Sequence, residues 1–155
     1  MKTSVSAQPA AMQHILVLCI GNICRSPLAE ALLRRRFPGK TIRSAGLEAL
    51  VGQPADPESA AVAARHGLDL SDHRARQLAT WMCQQADLIL VMEQSQKAGL
   101  ERQCPWVRGK VFRLGAWSAF DIADPYRRPR EAFEAAYAGI AQGVADWVPR
   151  IQQLG

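Results

Sequence analysis

Ile15-Leu-Val-Leu-Cys-Ile-Gly-Asn-Ile-Cys-Arg-Ser-Pro27 decides how this chain folds. Its opening run, Ile15 to Ile20, is continuous and apolar, the pattern of a strand buried on both faces of a parallel sheet. Gly21-Asn22 then turns the chain. Ser26-Pro27 opens a helix, because serine caps N-termini well and proline fits the first turn. Leu28, Leu32 and Leu33, with Ala29 and Ala31, carry a helical face on to Phe37, and Pro38-Gly39 ends it.

The same alternation continues outward from this stretch. Thr41 to Ala45, Ala86 to Met92 and Lys110 to Leu114 read as further strands. Between them, Pro57 to His66, Arg76 to Gln85 and Ser95 to Gln103 read as helices, the first stopped by Gly67. Gly115 to Pro129 is a long loop. Arg130 to Leu154 closes the chain as a helix, with Phe133, Tyr137, Ile140, Val144, Trp147 and Ile151 on one face. Pro149 is expected to bend or break its last turn. Strands alternating with helices imply right-handed βαβ units. The expected fold is α/β: three layers, a four-stranded parallel sheet with helices on both faces, and a phosphate-binding loop after the first strand. Sites in such sheets lie at the carboxyl ends of the strands. Cys19, the loop after Met92 and the loop after Leu114 share that edge.

The chain has 155 residues, 48% apolar and 21% charged, which suits one globular domain rather than disorder. Residues 1–13 read as a flexible N-terminal tail and 14–155 as a single domain; Met12 is an alternative start. The tail has no apolar segment of the kind a signal peptide needs, and Ile15 to Ile20 is too short to span a bilayer. The expected compartment is the cytoplasm, where thiols stay reduced. The net charge of +5 suits attraction to anionic substrates as well as a solvated surface. Nucleic acid is a poorer partner, because the arginine clusters lack interleaved aromatics for stacking. The cysteines at 19, 24, 83 and 104 match no zinc-ligand spacing, so no metal is expected.

Cys19 to Pro27 carries the chemistry. A chain curling between a buried strand and a helix can turn successive N–H groups inward as an anion nest, and the helix N-terminus adds its dipole. Ile20, Gly21, Asn22, Ile23, Cys24 and Ser26 form that expected phosphate-binding loop around Cys19 and Arg25. Gly21 lets the backbone approach an anion, and Asn22 tolerates a left-handed conformation. Arg25 offers a planar fork to two phosphate oxygens. The field that holds a phosphate also favours a thiolate, so Cys19 is the expected nucleophile, with Ser26 donating to its sulfur. A bare Cys-x5-Arg is common. The strand before it, the helix after it and the polar residues between them make this instance specific.

The stretch Val17 to Pro27 resembles the signature loop of the low-molecular-weight protein tyrosine phosphatases. Ser44-Ala-Gly46, Asp72 to Gln77, Asp87 to Met92 and Asp124-Pro-Tyr126 match further landmarks of that family in order, so the resemblance runs from His14 onward. Ser44 to Gly52, and Arg127 where animal members usually have a second tyrosine, resemble the bacterial branch from capsule and exopolysaccharide systems.

That resemblance implies hydrolysis of phosphotyrosine in proteins through a phosphocysteine intermediate, with no metal and no organic cofactor. It implies Asp124 as the general acid; by residue type alone Asp-Pro is a plain turn, and Asp121 competes. It implies Tyr126 in the substrate cleft, and Ser44 and His73 supporting the loop with Asn22 and Ser26. Leu47 and Leu50 are candidates for the opposite cleft wall. The implied partner is an autophosphorylating membrane tyrosine kinase that controls polysaccharide export. Cys24 is either a redox partner for Cys19 or packing beneath the loop. Two rivals differ in class. A thioredoxin-coupled arsenate reductase needs a close cysteine pair, but the next cysteine after Cys83 is Cys104. A phosphate-binding module without turnover would have no use for both Cys19 and Asp124.

Overall fold

The structure is a computed structural model and describes residues 12–154. Four parallel strands form one sheet: β1 (His14–Cys19), β2 (Thr41–Gly46), β3 (Leu88–Val91) and β4 (Val111–Arg113). Their order is β2-β1-β3-β4. The helices are α1 (Arg25–Arg36), α2 (Pro57–Arg65), α3 (Thr80–Gln85), α4 (Gln94–Gln103) and α5 (Arg130–Leu154). No helix among the described residues is long and apolar enough to cross a membrane. Residues 1–11 of the expected tail, and Gly155, lie outside the described residues. Met12 packs against the core. The Gln13 N–H donates to the Asp87 carboxylate at 2.9 Å, and its carbonyl accepts from the Thr41 N–H at 2.9 Å.

The period-two pleat of the central strands sorts their side chains into two cores. Ile15, Val17, Leu88, Leu90 and Met92 face the layer of α1 and α5, where Leu28, Leu33, Phe133 and Ile140 cover them. Leu16, Leu18, Ile89 and Val91 face the opposite layer, against Met82, Cys83 and Leu100. Both faces are buried, which is why the strands read as unbroken apolar runs. The chain leaves β1 toward β2 on one side and resumes at β3 on the other. The crevice at the carboxyl ends of β1 and β3 is therefore the topological switch point of the sheet.

Two local expectations change, and of the two outcomes expected at Pro149 a break does not occur. Arg76 to Ala79 is extended, not helical: the Gly46 N–H donates to the Arg76 carbonyl and the Leu78 N–H to the Gly46 carbonyl, both at 2.9 Å. Pairing with the end of β2 claims the backbone that a longer α3 would have used. Ser26 lies inside the first turn of α1, Cys24 is the N-cap residue, and no side chain caps this helix. The helix α5 continues through Pro149 to Leu154. Both Pro149 and Ala145, whose carbonyl loses its helical donor there, are exposed, so water can satisfy the gap.

Candidate active site

Cys19 ends β1, and the chain curls from it through Asn22 into α1. Asn22 takes φ 60°, the left-handed conformation that its side chain tolerates. Each carbonyl of the curl is bound from outside. Those of Cys19, Ile20 and Gly21 accept from the N–H groups of Leu47, Glu48 and Leu50 at 2.9, 2.9 and 3.0 Å. The Asn22 carbonyl meets His73 Nε2 at 2.6 Å, and that of Ile23 accepts from the Asp56 N–H at 2.9 Å. The Cys24 carbonyl accepts from the Ser59 hydroxyl at 3.1 Å. Carbonyls held outward leave the inside of the curl to N–H groups, the arrangement of an anion nest.

A chain of buried side chains then sets which way the protons point. Glu30, paired with Arg34 at 2.6 Å, accepts from the Ser44 hydroxyl at 2.6 Å. Ser44 Oγ is thus left to accept, and Asn22 Nδ2 donates to it at 3.0 Å. Asn22 Oδ1 accepts from the Arg76 N–H at 2.9 Å, which fixes the amide orientation. Asn22 Nδ2 donates again, to Ser26 Oγ at 2.8 Å. The Ser26 hydroxyl proton is then free for Cys19 Sγ, 3.0 Å away. The Asn22 N–H also points at that sulfur, at 3.3 Å. Since the Asn22 carbonyl can only accept, His73 Nε2 carries its proton, leaving Nδ1 4.0 Å from Glu30.

Arg25 is 1% exposed. Its Nη1 is taken by Glu93 at 2.5 Å and by the Ile122 carbonyl at 2.7 Å. Its Nε has no partner among the described residues, and Nη2 stands 3.7 Å from Asp124. One edge of the guanidinium is therefore anchored. The other, Nε with Nη2, is the edge that pairs two oxygens of a phosphate.

Above the loop lies a cavity of about 120 Å³. Cys19, Arg25 and Asp124 line it, with Ile23, Leu50 and Tyr126 as apolar walls. Of the two leucines expected in the cleft, only Leu50 is there. Leu47 instead packs against the opposite core, where its side chain is partly buried, and lines a different cavity. Asp124 Oδ1 accepts from the Tyr126 N–H at 3.1 Å, so the aspartate shapes its own turn. Arg127 lies over the Tyr126 ring, 5.1 Å from its centroid. Asp121 is bound by Arg113 at 3.0 Å and by the Gln94 N–H at 3.1 Å, and it does not line the cavity.

Cys24 is buried and lines the cavity beside Cys19. Burial pushes its thiol well above the ordinary cysteine range, and Asp56, Cys19 and Asp124 push the same way. Cys83 is also buried, in the opposite core, and with Cys104 it lines the cavity that Leu47 joins. Among the described residues, no three His, Cys, Asp or Glu side chains converge as a metal would require.

Two residues of the site carry no functional signal in the sequence. Glu30 reads as half of an ordinary i,i+4 surface pair with Arg34, and Glu93 as a helix cap. Only the fold brings one beneath the loop and the other against Arg25.

The family model described as low molecular weight phosphotyrosine protein phosphatase matches residues 14–154. The chain belongs to this family. A probable low molecular weight protein-tyrosine-phosphatase, EpsP of Ralstonia nicotianae, is 55% identical over 144 residues, covering 93% of this chain and 99% of the relative. The crystal structure of the tyrosine phosphatase AmsI of Erwinia amylovora superposes with a TM-score of 0.88 at 47% identity, covering 92% of this chain and 95% of that one. The tyrosine phosphatase Wzb of Escherichia coli K30, in complex with sulphate, gives 0.86 at 43% identity, covering 93% and 99%. The expected family and fold are thus established, and this chain is a protein-tyrosine phosphatase of the bacterial type.

Proposed function

We propose that this phosphatase hydrolyses phosphotyrosine in proteins by two displacements at phosphorus. The observation that carries the reading is the open Nε–Nη2 edge of Arg25, in one cavity with the Cys19 sulfur and the Asp124 carboxyl. In the first step, the Cys19 thiolate attacks phosphorus as the bond to the tyrosine oxygen breaks. Asp124 gives that oxygen its proton, so tyrosine leaves as a neutral phenol. Loop N–H groups and Arg25 hold the three equatorial oxygens, over which the transition-state charge is spread. In the second step, water attacks the phosphocysteine, Asp124 takes a proton from it, and the P–S bond breaks to return the thiolate and release phosphate. The Ser26 proton, directed at Sγ by the chain from Glu30, stabilises the sulfur both as nucleophile and as leaving group.

The walls of Ile23, Leu50 and Tyr126 favour an aromatic phosphate ester over a short aliphatic one. The protein substrate in this reading is a cytoplasmic tyrosine-phosphorylated segment of an autophosphorylating membrane kinase in a capsule or exopolysaccharide system. Similarity to EpsP, Wzb and AmsI supports it. A thioredoxin-coupled relay from Cys19 finds no support, since Cys83 lies in the other core. The test is Cys19→Ser, assayed on p-nitrophenyl phosphate and on phosphotyrosyl peptides. Turnover should vanish while vanadate still binds. Turnover near the wild-type rate would overturn the assignment of Cys19.

A further inference from the structure

Pro125 to Arg128 forms a tight turn at the wall of the cavity over Cys19. The Arg128 N–H donates to the Pro125 carbonyl at 2.9 Å, so Tyr126 and Arg127 occupy the middle of the turn. Arg127, the third residue, takes φ 61°. Turns with a left-handed third residue favour glycine or asparagine there, because a larger side chain is strained in that conformation. Strain of this kind at the border of a site points to a use for the side chain that carries it.

Arg127 is exposed, and its guanidinium carbon lies 5.1 Å from the centroid of the Tyr126 ring. Cation–π attraction holds the guanidinium at that ring. Tyr126 lines the cavity and Arg127 does not, so the charge stands at the cavity's margin, next to the ring that walls it. Among the described residues neither Arg127 nor Arg128 has an ion-pair partner, whereas Arg130 meets Glu58 at 3.7 Å. The carboxylates that line the cavity itself are Glu48 and Asp124. An acidic side chain is therefore repelled by the lining and attracted only at the Arg127 margin.

We propose that Arg127 is a specificity-determining residue: its guanidinium pairs with the carboxylate of a glutamate or aspartate flanking the phosphotyrosine. The assignment rests on the phosphotyrosine reading above. A guanidinium offers a planar fork that a carboxylate matches. An extended peptide advances about 3.3–3.6 Å per residue. With the phosphorylated ring against Tyr126, side chains within a few residues of it span the 5.1 Å from that wall to Arg127. Glu48 disfavours acidic residues elsewhere around the cavity, so the preference belongs to one position and not to the net charge of the peptide.

The test is a set of phosphotyrosyl peptides with Glu, Gln or Lys at each of the three positions on either side of the phosphotyrosine. At one position Glu should exceed Gln by about three- to fivefold in kcat/KM, the scale of an exposed ion pair, and Lys should fall below Gln. The gain should lie in KM, because the contact is the same before and during the reaction, and it should shrink at high salt. Arg127→Gln should erase it. Arg127→Gly suits the backbone of the turn and should erase it as well. Arg130→Gln removes the same charge from a neighbouring arginine that Glu58 already pairs, and should leave the preference intact. Equal kcat/KM for Glu and Gln at every position, a Glu preference that survives both Arg127 variants, or an equal loss in Arg130→Gln would overturn the assignment of Arg127 alone. Turnover of p-nitrophenyl phosphate with none on any phosphotyrosyl peptide would overturn the phosphotyrosine reading, and this assignment with it.

Discussion

Arg25 Nη1 and Glu93 Oε2 meet at 2.5 Å across the sheet's switch point, joining the loop after β1 to the loop after β3. Arg25 is almost fully buried, while the Glu93 side chain is 30% exposed. The pair turns the guanidinium so that its other edge faces the cavity.

Glu93→Ala should therefore act on catalysis through geometry. A buried charged donor losing its acceptor costs about 1–3 kcal/mol or more. For a chain of this size, each kcal/mol lowers Tm by about 2–4 °C. Thermal unfolding should show that drop. Vanadate affinity should fall together with kcat/KM on p-nitrophenyl phosphate. An unchanged vanadate affinity would mean that Arg25 holds its orientation without Glu93.

Asp124→Asn should slow esters of poor leaving groups far more than esters of good ones. General acids contribute about 10²–10⁴-fold, and a good leaving group needs little of it. Rates across a series of aryl phosphates measure this directly. Asp121→Asn should show no such selectivity, because Arg113 and the Gln94 N–H hold Asp121 outside the cavity.

Gly46→Ala tests the backing of the loop. A Cβ at Gly46 would stand 2.5 Å from the Ile20 carbonyl oxygen and 2.9 Å from Ala49 Cα. Both are backbone, so the loop itself must shift. Overpacking of this kind costs about 1–3 kcal/mol. Stability and phosphate affinity should fall together. Gly39→Ala, with nothing within 4 Å, should leave both within experimental error.

Cys24 should protect Cys19 from peroxide. The reaction balances as Cys19–SOH and Cys24–SH giving a disulfide and water. The Cys24 thiol, held high by burial, is the poorer target for peroxide, so Cys19 oxidises first. Wild type treated with peroxide and then dithiothreitol should regain activity, and Cys24→Ser should regain much less. Equal recovery, with no loss of two hydrogens from the peptide spanning both cysteines, would leave Cys24 as packing.

The strands were legible because both sheet faces are buried, so β1 and β3 show no polar interruption. The left-handed Asn22 was legible because few residues adopt that conformation. Leu47 departs from the expected cleft wall because the core that a loop side chain packs against is set by distant segments, and no local pattern reveals it. Arg76 to Ala79 looked helical because nothing local shows that the end of β2 pairs with it. Glu30 and Glu93 stayed hidden for a related reason: a carboxylate on a helix looks solvated until another segment covers it.

The outward tethering of the loop carbonyls has a consequence for folding. Ser59 holds the Cys24 carbonyl from 35 positions away and His73 holds that of Asn22 from 51. A peptide of Cys19 to Pro27 would contain the whole signature and none of its shape. The nest has no local stability; it exists only while β1, the segment after β2, α2 and the His73 turn are assembled together. Amide exchange in the loop should then proceed through opening of the whole domain rather than local fraying. Anion binding becomes a gauge of cooperative folding: an oxyanion that binds the assembled loop and not the unfolded chain raises the melting temperature of the entire molecule.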